Sequence, residues 1–221
     1  VVGKSTQQLA ALEENDSMGL SKIANVVKTE KTKNPEETLF LSGGDMLQGQ
    51  ILSNWYDGSN AIEIFNAMDM DAFVIGNHEF DWGFNEVLKY FNNTYEIQAN
   101  FKALGANVYQ NDTSKMVEGL NEYVMIEKSG IKIAVIGTIG DGLESSISYS
   151  RVKDYYFTNS ATKTKEVAKH VRDNEDADIV IAINHGSNDS FNESVTRGND
   201  GVDLVFNGHT HYSYIEQSNG K

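Results

Sequence analysis

The sequence predicts an α/β domain of layered architecture, in which β-sheets are flanked by helices and the functional site lies at the carboxyl ends of the strands. Three observations predict it. Short apolar runs of strand length alternate with amphipathic runs at helical period. The apolar runs read as strands buried within the domain. Four of these runs stop abruptly at loops carrying Asp, Asn or His, the placement that open α/β sheets use for functional groups.

In chain order, residues 20–29 carry apolar side chains at 20, 23, 24, 26 and 27, close to a helical repeat, with a lysine-rich end that suits the helix dipole. Residues 38–41 form a strand that opens at Ser42-Gly43-Gly44-Asp45. A helix over 60–68, a strand over 72–75 and a turn at Gly76-Asn77-His78-Glu79 repeat that phrase. A helix over 84–91 and a strand over 96–99 follow, with Asn100 at its end as a candidate to line the cleft. Residues 123–126 and 131–136, joined through Glu127-Lys128-Ser129-Gly130, predict a hairpin. Residues 161–171 predict a helix, and strands over 179–183 and 202–206 end at Asn184-His185-Gly186 and Asn207-Gly208-His209.

Composition bounds the chemistry. With 221 residues and 39% hydrophobic content the chain is expected to form one domain over 1–221 with a substantial core. A net charge of -14 argues against a long nucleic-acid partner or an anionic membrane surface, both of which need a basic patch. A small anionic substrate remains compatible if a metal supplies local positive charge. The absence of cysteine leaves His, Asp, Asn and Glu as ligand types. No apolar run is long enough to span a bilayer, and the first residues lack the basic and apolar regions of an export signal.

The ligand types sit at strand ends: Asp45, Asn77-His78, His185 and His209-Thr210-His211. Four of the five histidines are there, and His170 alone falls on a predicted surface helix. Singly, each has a plain structural reading, such as a turn aspartate or a satisfied histidine. Jointly they describe a site for divalent ions such as Mn, Zn or Fe, bound by carboxylate, amide and imidazole donors. Asp45, after two glycines, is the candidate bridge between two ions, and an extended His209-x-His211 sends its rings to different ions. Two ions roughly 3.5 to 4 Å apart activate a water and clamp phosphoryl oxygens during displacement.

Gly44-Asp45-Met46-Leu47-Gln48-Gly49, Gly76-Asn77-His78-Glu79 and Gly208-His209-Thr210-His211, with His185 between, resemble the calcineurin-like metallophosphoesterases. The longer string Gly76 to Asp81 resembles their 5'-nucleotidase branch, which includes 2',3'-cyclic nucleotide phosphodiesterases. The resemblance implies hydrolysis of small phosphorylated substrates, nucleotides above all. It also implies that Asp45 bridges, that Asn77, His185 and His209 complete one metal site and that His211 belongs to the other. By the same resemblance Asn77 and His78 contact the phosphate, and His78, oriented by Asp81, stabilises the transition state or protonates the leaving oxygen. Glu79 reads as a hydrogen-bond partner of the ligands, and Asp81 has an alternative as the N-cap of the next helix. Trp55, Tyr56, Tyr155 and Tyr156 could stack a base, but packing is the preferred reading.

Two departures from the family pattern shape the expectation. Its opening Asp-x-His-Gly motif has no counterpart here: Asp16, in Asn15-Asp16-Ser17-Met18-Gly19, lacks the histidine and the preceding strand. The motif is therefore expected before Val1, and the substrate domain of the branch beyond Lys221. Two divalent ions are expected in the full-length protein but one well-formed metal site in this chain, so the isolated chain is expected to be weakly active or inactive. The alternative is a non-catalytic, metal-binding surface domain that keeps the fold. By resemblance to a branch that is commonly exported, the protein is expected outside the cell or at its surface.

Overall fold

The computed structural model describes residues 19–186, 189–198 and 201–221; Asp16 lies outside them. Ten strands are described: β1 (Leu41–Ser42), β2 (Ala72–Val74), β3 (Lys102–Leu104), β4 (Val108–Gln110), β5 (Leu120–Asn121), β6 (Tyr123–Lys128), β7 (Ile131–Ile139), β8 (Tyr155–Phe157), β9 (Ile179–His185) and β10 (Leu204–Asn207). The helices are α1 (Leu20–Lys33), α2 (Ile51–Trp55), α3 (Ser59–Ala67), α4 (Phe84–Leu88), α5 (Tyr149–Val152), α6 (Ser160–Asn174) and α7 (Asp189–Val195).

Two four-stranded sheets stack face to face. The first has the order β1-β2-β3-β5 and is parallel throughout. The second has the order β10-β9-β7-β6, in which only the β6-β7 hairpin is antiparallel. Side-chain alternation along each central strand explains the layers. In β2, Ala72 and Val74 face the opposite sheet, where they meet Ile133, Val135, Ile181 and Ile183, while Phe73 points to the helices on the outer face. In β7 and β9 the intervening residues Ala134, Ile136, Val180 and Ala182 face Val167, Ala168 and Val171 of α6 and Phe191 and Val195 of α7. Helices α1, α3 and α4 cover the first sheet with Val27, Ile62, Phe65 and Val87. The result is a four-layer helix-sheet-sheet-helix sandwich. Gly137 permits close contact of the sheets, because a Cβ there would overlap Leu104 and Val74.

The predicted hairpin is present, with Ser129 and Gly130 at positive φ in its two-residue turn. Helix α1 runs on to Lys33, with Lys31 and Lys33 in its last turn. The helix predicted over 84–91 ends at Leu88. Residues 38–41 contribute one residue, Leu41, to β1, which pairs only at Leu41 and Ser42.

The strand expected over 96–99 does not form, and β3 takes that place in the sheet. The local side chains explain it. The Gln98 side-chain amide is spent on the backbone, its Nε2 donating to the Lys89 and Tyr95 carbonyls while its Oε1 accepts from Asn93 N. Ile97 and Ala99 pack on the core beneath, so their apolar character reflects loop anchoring. Among the described residues no helix is long and apolar enough to cross a membrane.

Candidate metal centre

The site spans the carboxyl ends of two neighbouring strands in each sheet: β1 and β2 in the first, β9 and β10 in the second. After β1 the chain turns through Gly44 (φ +94°) and Asp45 (φ +57°), both left-handed. A Cβ on Gly44 would lie 2.5 Å from His185 Nδ1 and 2.9 Å from Gly76 N. Gly76 is pressed against Asp45 and His185, and a Cβ on Gly208 would lie 3.1 Å from His185 Nδ1. Three glycines from three loops thus make room for one imidazole.

His185 is almost fully buried. Its Nδ1 donates to the Gly43 carbonyl at 2.6 Å, which presents Nε2 to the cluster as a lone pair. That nitrogen lies 3.1 Å from Asp45 Oδ2 and 3.1 Å from Asn77 Oδ1. His209 Nδ1 lies 3.0 Å from the same Asn77 oxygen. The ligand atoms of Asp45, His185 and His209 are all within 4.8 Å of one another. A lone pair, a carboxylate oxygen and an amide oxygen converging on one point need a proton or a cation between them. The donor set of one carboxylate, one amide and two imidazoles fits a divalent ion of the Mn, Zn or Fe type.

Charge follows the same logic. Burial pushes the Asp45 carboxyl up, but the hydrogen bond and charge of His185 and the His78 amide outweigh it and hold the group below the usual carboxylate range. Burial disfavours a charged His185, yet the Asp45 bond and charge raise it above the ordinary value. Burial and the neighbouring His185 lower His209, which favours the neutral form that ligates metal.

Glu79 holds the two loops of the first sheet together. Its carboxylate is fully buried and accepts four backbone N–H groups: Asp45 (2.9 Å) and Gly76 (2.6 Å) on Oε2, Met46 (3.0 Å) and Leu47 (3.3 Å) on Oε1. It does not join the ligand cluster described above. Burial, with the Asp45 charge, pushes its carboxyl up, against the pull of the Gly76 and Asp45 amides.

His78 and Asp81 lie on and next to a 3₁₀ turn over His78–Phe80. The His78 amide donates to Asp45 Oδ1 at 2.9 Å, and the ring Nδ1 bonds Asp81 Oδ2 at 2.7 Å. The Asp81 bond raises His78 above its ordinary value. Asp81 is not the cap of α4, whose N-cap position is Gly83 without a side-chain cap bond. With Nδ1 engaged and half of the side chain exposed, the ring keeps Nε2 for a substrate.

The structure brings Asp45, Asn77, His185 and His209 together, with His78 and Asp81 at their edge. His211 is exposed and outside that ligand group. The extended loop expected at 209–211 is not what forms: His209 (φ +73°) and His211 (φ +58°) are both left-handed, and Thr210 N bonds back to the Gly208 carbonyl. The period-2 alternation that would send the rings apart therefore does not apply. Asn100 donates its amide to Asn66 Oδ1 and lies in the groove between α1 and α3. Tyr155 packs edge-on against Phe80 and Phe84, and Tyr156 stacks on Tyr109, as the packing reading expects. Trp55 and Tyr56 are exposed. The spacing duty of Gly76 and Gly208 was not read from sequence, because a close approach between separate loops leaves no local pattern.

Residues 17–213 match the family model described as calcineurin-like phosphoesterase. The chain is 35% identical over 147 residues to protein UshA of Yersinia enterocolitica, covering 66% of this chain and 26% of that protein. It is 26% identical over 197 residues to a 5'-nucleotidase-related protein of Glossina morsitans morsitans, covering 87% and 34% respectively. Among solved structures it resembles the NAD nucleotidase of Haemophilus influenzae, with a TM-score of 0.73 and 25% identity over 90% of this chain and 37% of that one. The chain spans about a quarter to a third of the length of these curated relatives.

Proposed function

The chain belongs to the calcineurin-like phosphoesterase family, and from that premise we propose that it hydrolyses phosphate esters with divalent metal ions, its substrates being nucleotides. One observation carries the reading: a half-buried carboxylate, an amide oxygen and two imidazoles meet at one point, with a His-Asp pair hydrogen-bonded to that carboxylate. The names of the relatives, among them a 5'-nucleotidase-related protein and an NAD nucleotidase, support nucleotides as the substrate class. The activity is of the 5'-nucleotidase or 2',3'-cyclic nucleotide phosphodiesterase type, in a protein exported to the cell surface or beyond.

In this reading Asp45, Asn77, His185 and His209 would hold one ion, and Asp45 and His211 would contribute to a second. Such ions supply positive charge for the phosphoryl oxygens and lower the pKa of a nucleophilic water. The chain's own groups do the rest. Asn77 and the raised His78 bind the phosphate, and His78 Nε2 gives its proton to the leaving oxygen. Asp81 keeps that imidazole oriented and charged through Nδ1. Glu79 fixes the loop that carries Asp45, so the ligand is in place before substrate arrives. The His78-Asp81 pair also counts against the binding-only alternative, since metal binding alone has no use for it.

The test is phosphate release by the full-length protein from nucleoside mono-, di- and 2',3'-cyclic phosphates with Mn, Zn or Fe. Release is expected for at least one substrate, and His78→Ala should lower kcat by about 10²- to 10⁴-fold, the usual share of general acid catalysis. No release from any substrate with any of these ions would overturn the reading.

A further inference from the structure

Beside the metal centre lies a cavity of about 340 Å³ for which the reaction above gives no role. It forms where β7 and β9 end and α6 begins. Asp141, Asn159 and Ser160 line one side, Phe191 and Ser194 of α7 another, and Thr210 the rim next to His209. Gly140 and Gly186 also line it. Neither has positive φ, so their backbone does not require glycine. What glycine gives is contact between the strand ends, where a Cβ on Gly186 would lie 3.0 Å from Gly140 Cα.

The cavity favours a neutral ligand over phosphate. No lysine or arginine is among its described lining residues, although Lys165 Nζ donates to Ser194 Oγ at its edge at 3.1 Å. The amides of α6 that would take an anion are already capped: Ser160 N donates to Asp141 Oδ1 at 2.7 Å and Thr162 N to Asn159 Oδ1 at 2.9 Å. The Asp141 carboxylate would repel a second negative group. It retains acceptor capacity, because each carboxylate oxygen accepts more than one hydrogen bond. Acceptors and hydroxyls together match a sugar, whose hydroxyls donate and accept in turn.

We propose that this cavity binds the sugar of a phosphorylated substrate, ring hydroxyls donating to Asp141, while the phosphate sits at His78 and the Asp45 cluster. The proposal rests on the phosphoesterase reading only for the position of the phosphate. His209 belongs to both the ligand group and the cavity lining, so the two sites adjoin.

Two measurements test it. The first titrates the metal-free chain with methyl riboside and follows the backbone amides of Asp141, Ser160 and Ser194 by NMR. Saturable shifts are expected with the riboside. The second compares hydrolysis of ribose 5-phosphate with that of phenyl phosphate. In Ala161→Phe, which fills the cavity from the first turn of α6, the preference for ribose 5-phosphate in kcat/KM should fall at least about tenfold, as lost sugar hydrogen bonds predict. A flat riboside titration, or an unaltered preference in a folded variant, overturns the proposal. If the full-length protein hydrolyses neither ester with any divalent ion, the phosphoesterase reading fails, and the riboside titration alone decides whether the cavity takes a sugar.

Discussion

Replacing Glu79 by glutamine is expected to loosen the Asp45 loop and weaken metal binding together. The carboxylate accepts four backbone N–H groups, two on each oxygen. Glutamine keeps one carbonyl oxygen, which can retain one pair of donors; its NH2 then faces the other pair. Two buried donors without an acceptor cost about 1–3 kcal/mol each, or about 2–6 kcal/mol together. Burial pushes the native carboxyl up, so the ionised form carries a desolvation penalty that the amide escapes. That relief offsets part of the loss, and a net destabilisation of about 2–4 kcal/mol is expected. Because Asp45 is anchored through its own amide, Mn affinity should also fall, by about ten- to a hundredfold as for other groups that orient metal ligands. Urea denaturation in the presence of a chelator reads the first effect, and calorimetric titration of the folded variant reads the second. An unchanged denaturation midpoint and an unchanged affinity would refute the clamp.

Gly44→Ala should cost about 2–5 kcal/mol, combining strain at φ +94° with a Cβ only 2.5 Å from His185 Nδ1. Thermal unfolding measures it, and a variant as stable as the parent would show that the loop and imidazole are not in contact. The His78 imidazole should titrate above about 6.5, the value for the unfolded chain, because of its Asp81 bond, and Asp81→Asn should bring it back down. The folded-state value is the raised one, so the stabilisation from this pair is fully present below the unfolded pKa and is lost as pH rises through the folded pKa. An NMR titration giving the same midpoint for both proteins would remove Asp81 as the orienting group.

Much of the site was legible because its residues follow short apolar runs whose period and abrupt ends are local properties. Asp45, Asn77, His185 and His209 each stand at the end of a strand that the sequence announces. The family strings around them supplied the roles expected of His78 and Asp81. What failed was also local in origin. Residues 96–99 have a strand's apolar content but use it to anchor a loop, and β3, only three residues long, gave too little pattern to find. The 209–211 loop reads as extended because nothing in the string Gly208-His209-Thr210-His211 displays a left-handed backbone.

By itself the sequence determined the layered α/β class, the ligand types and the order in which they occur along the chain, since hydrophobic period and residue chemistry do not depend on distant neighbours. Tertiary structure alone decided that loops 142 residues apart, at Gly43 and His185, share a hydrogen bond that aims Nε2 at Asp45 and Asn77. It alone decided that Glu79 joins two loops through four amides and that three glycines clear space for one ring. Those facts depend on how two sheets stack, which is set by the packing of the whole core and not by any local stretch of chain.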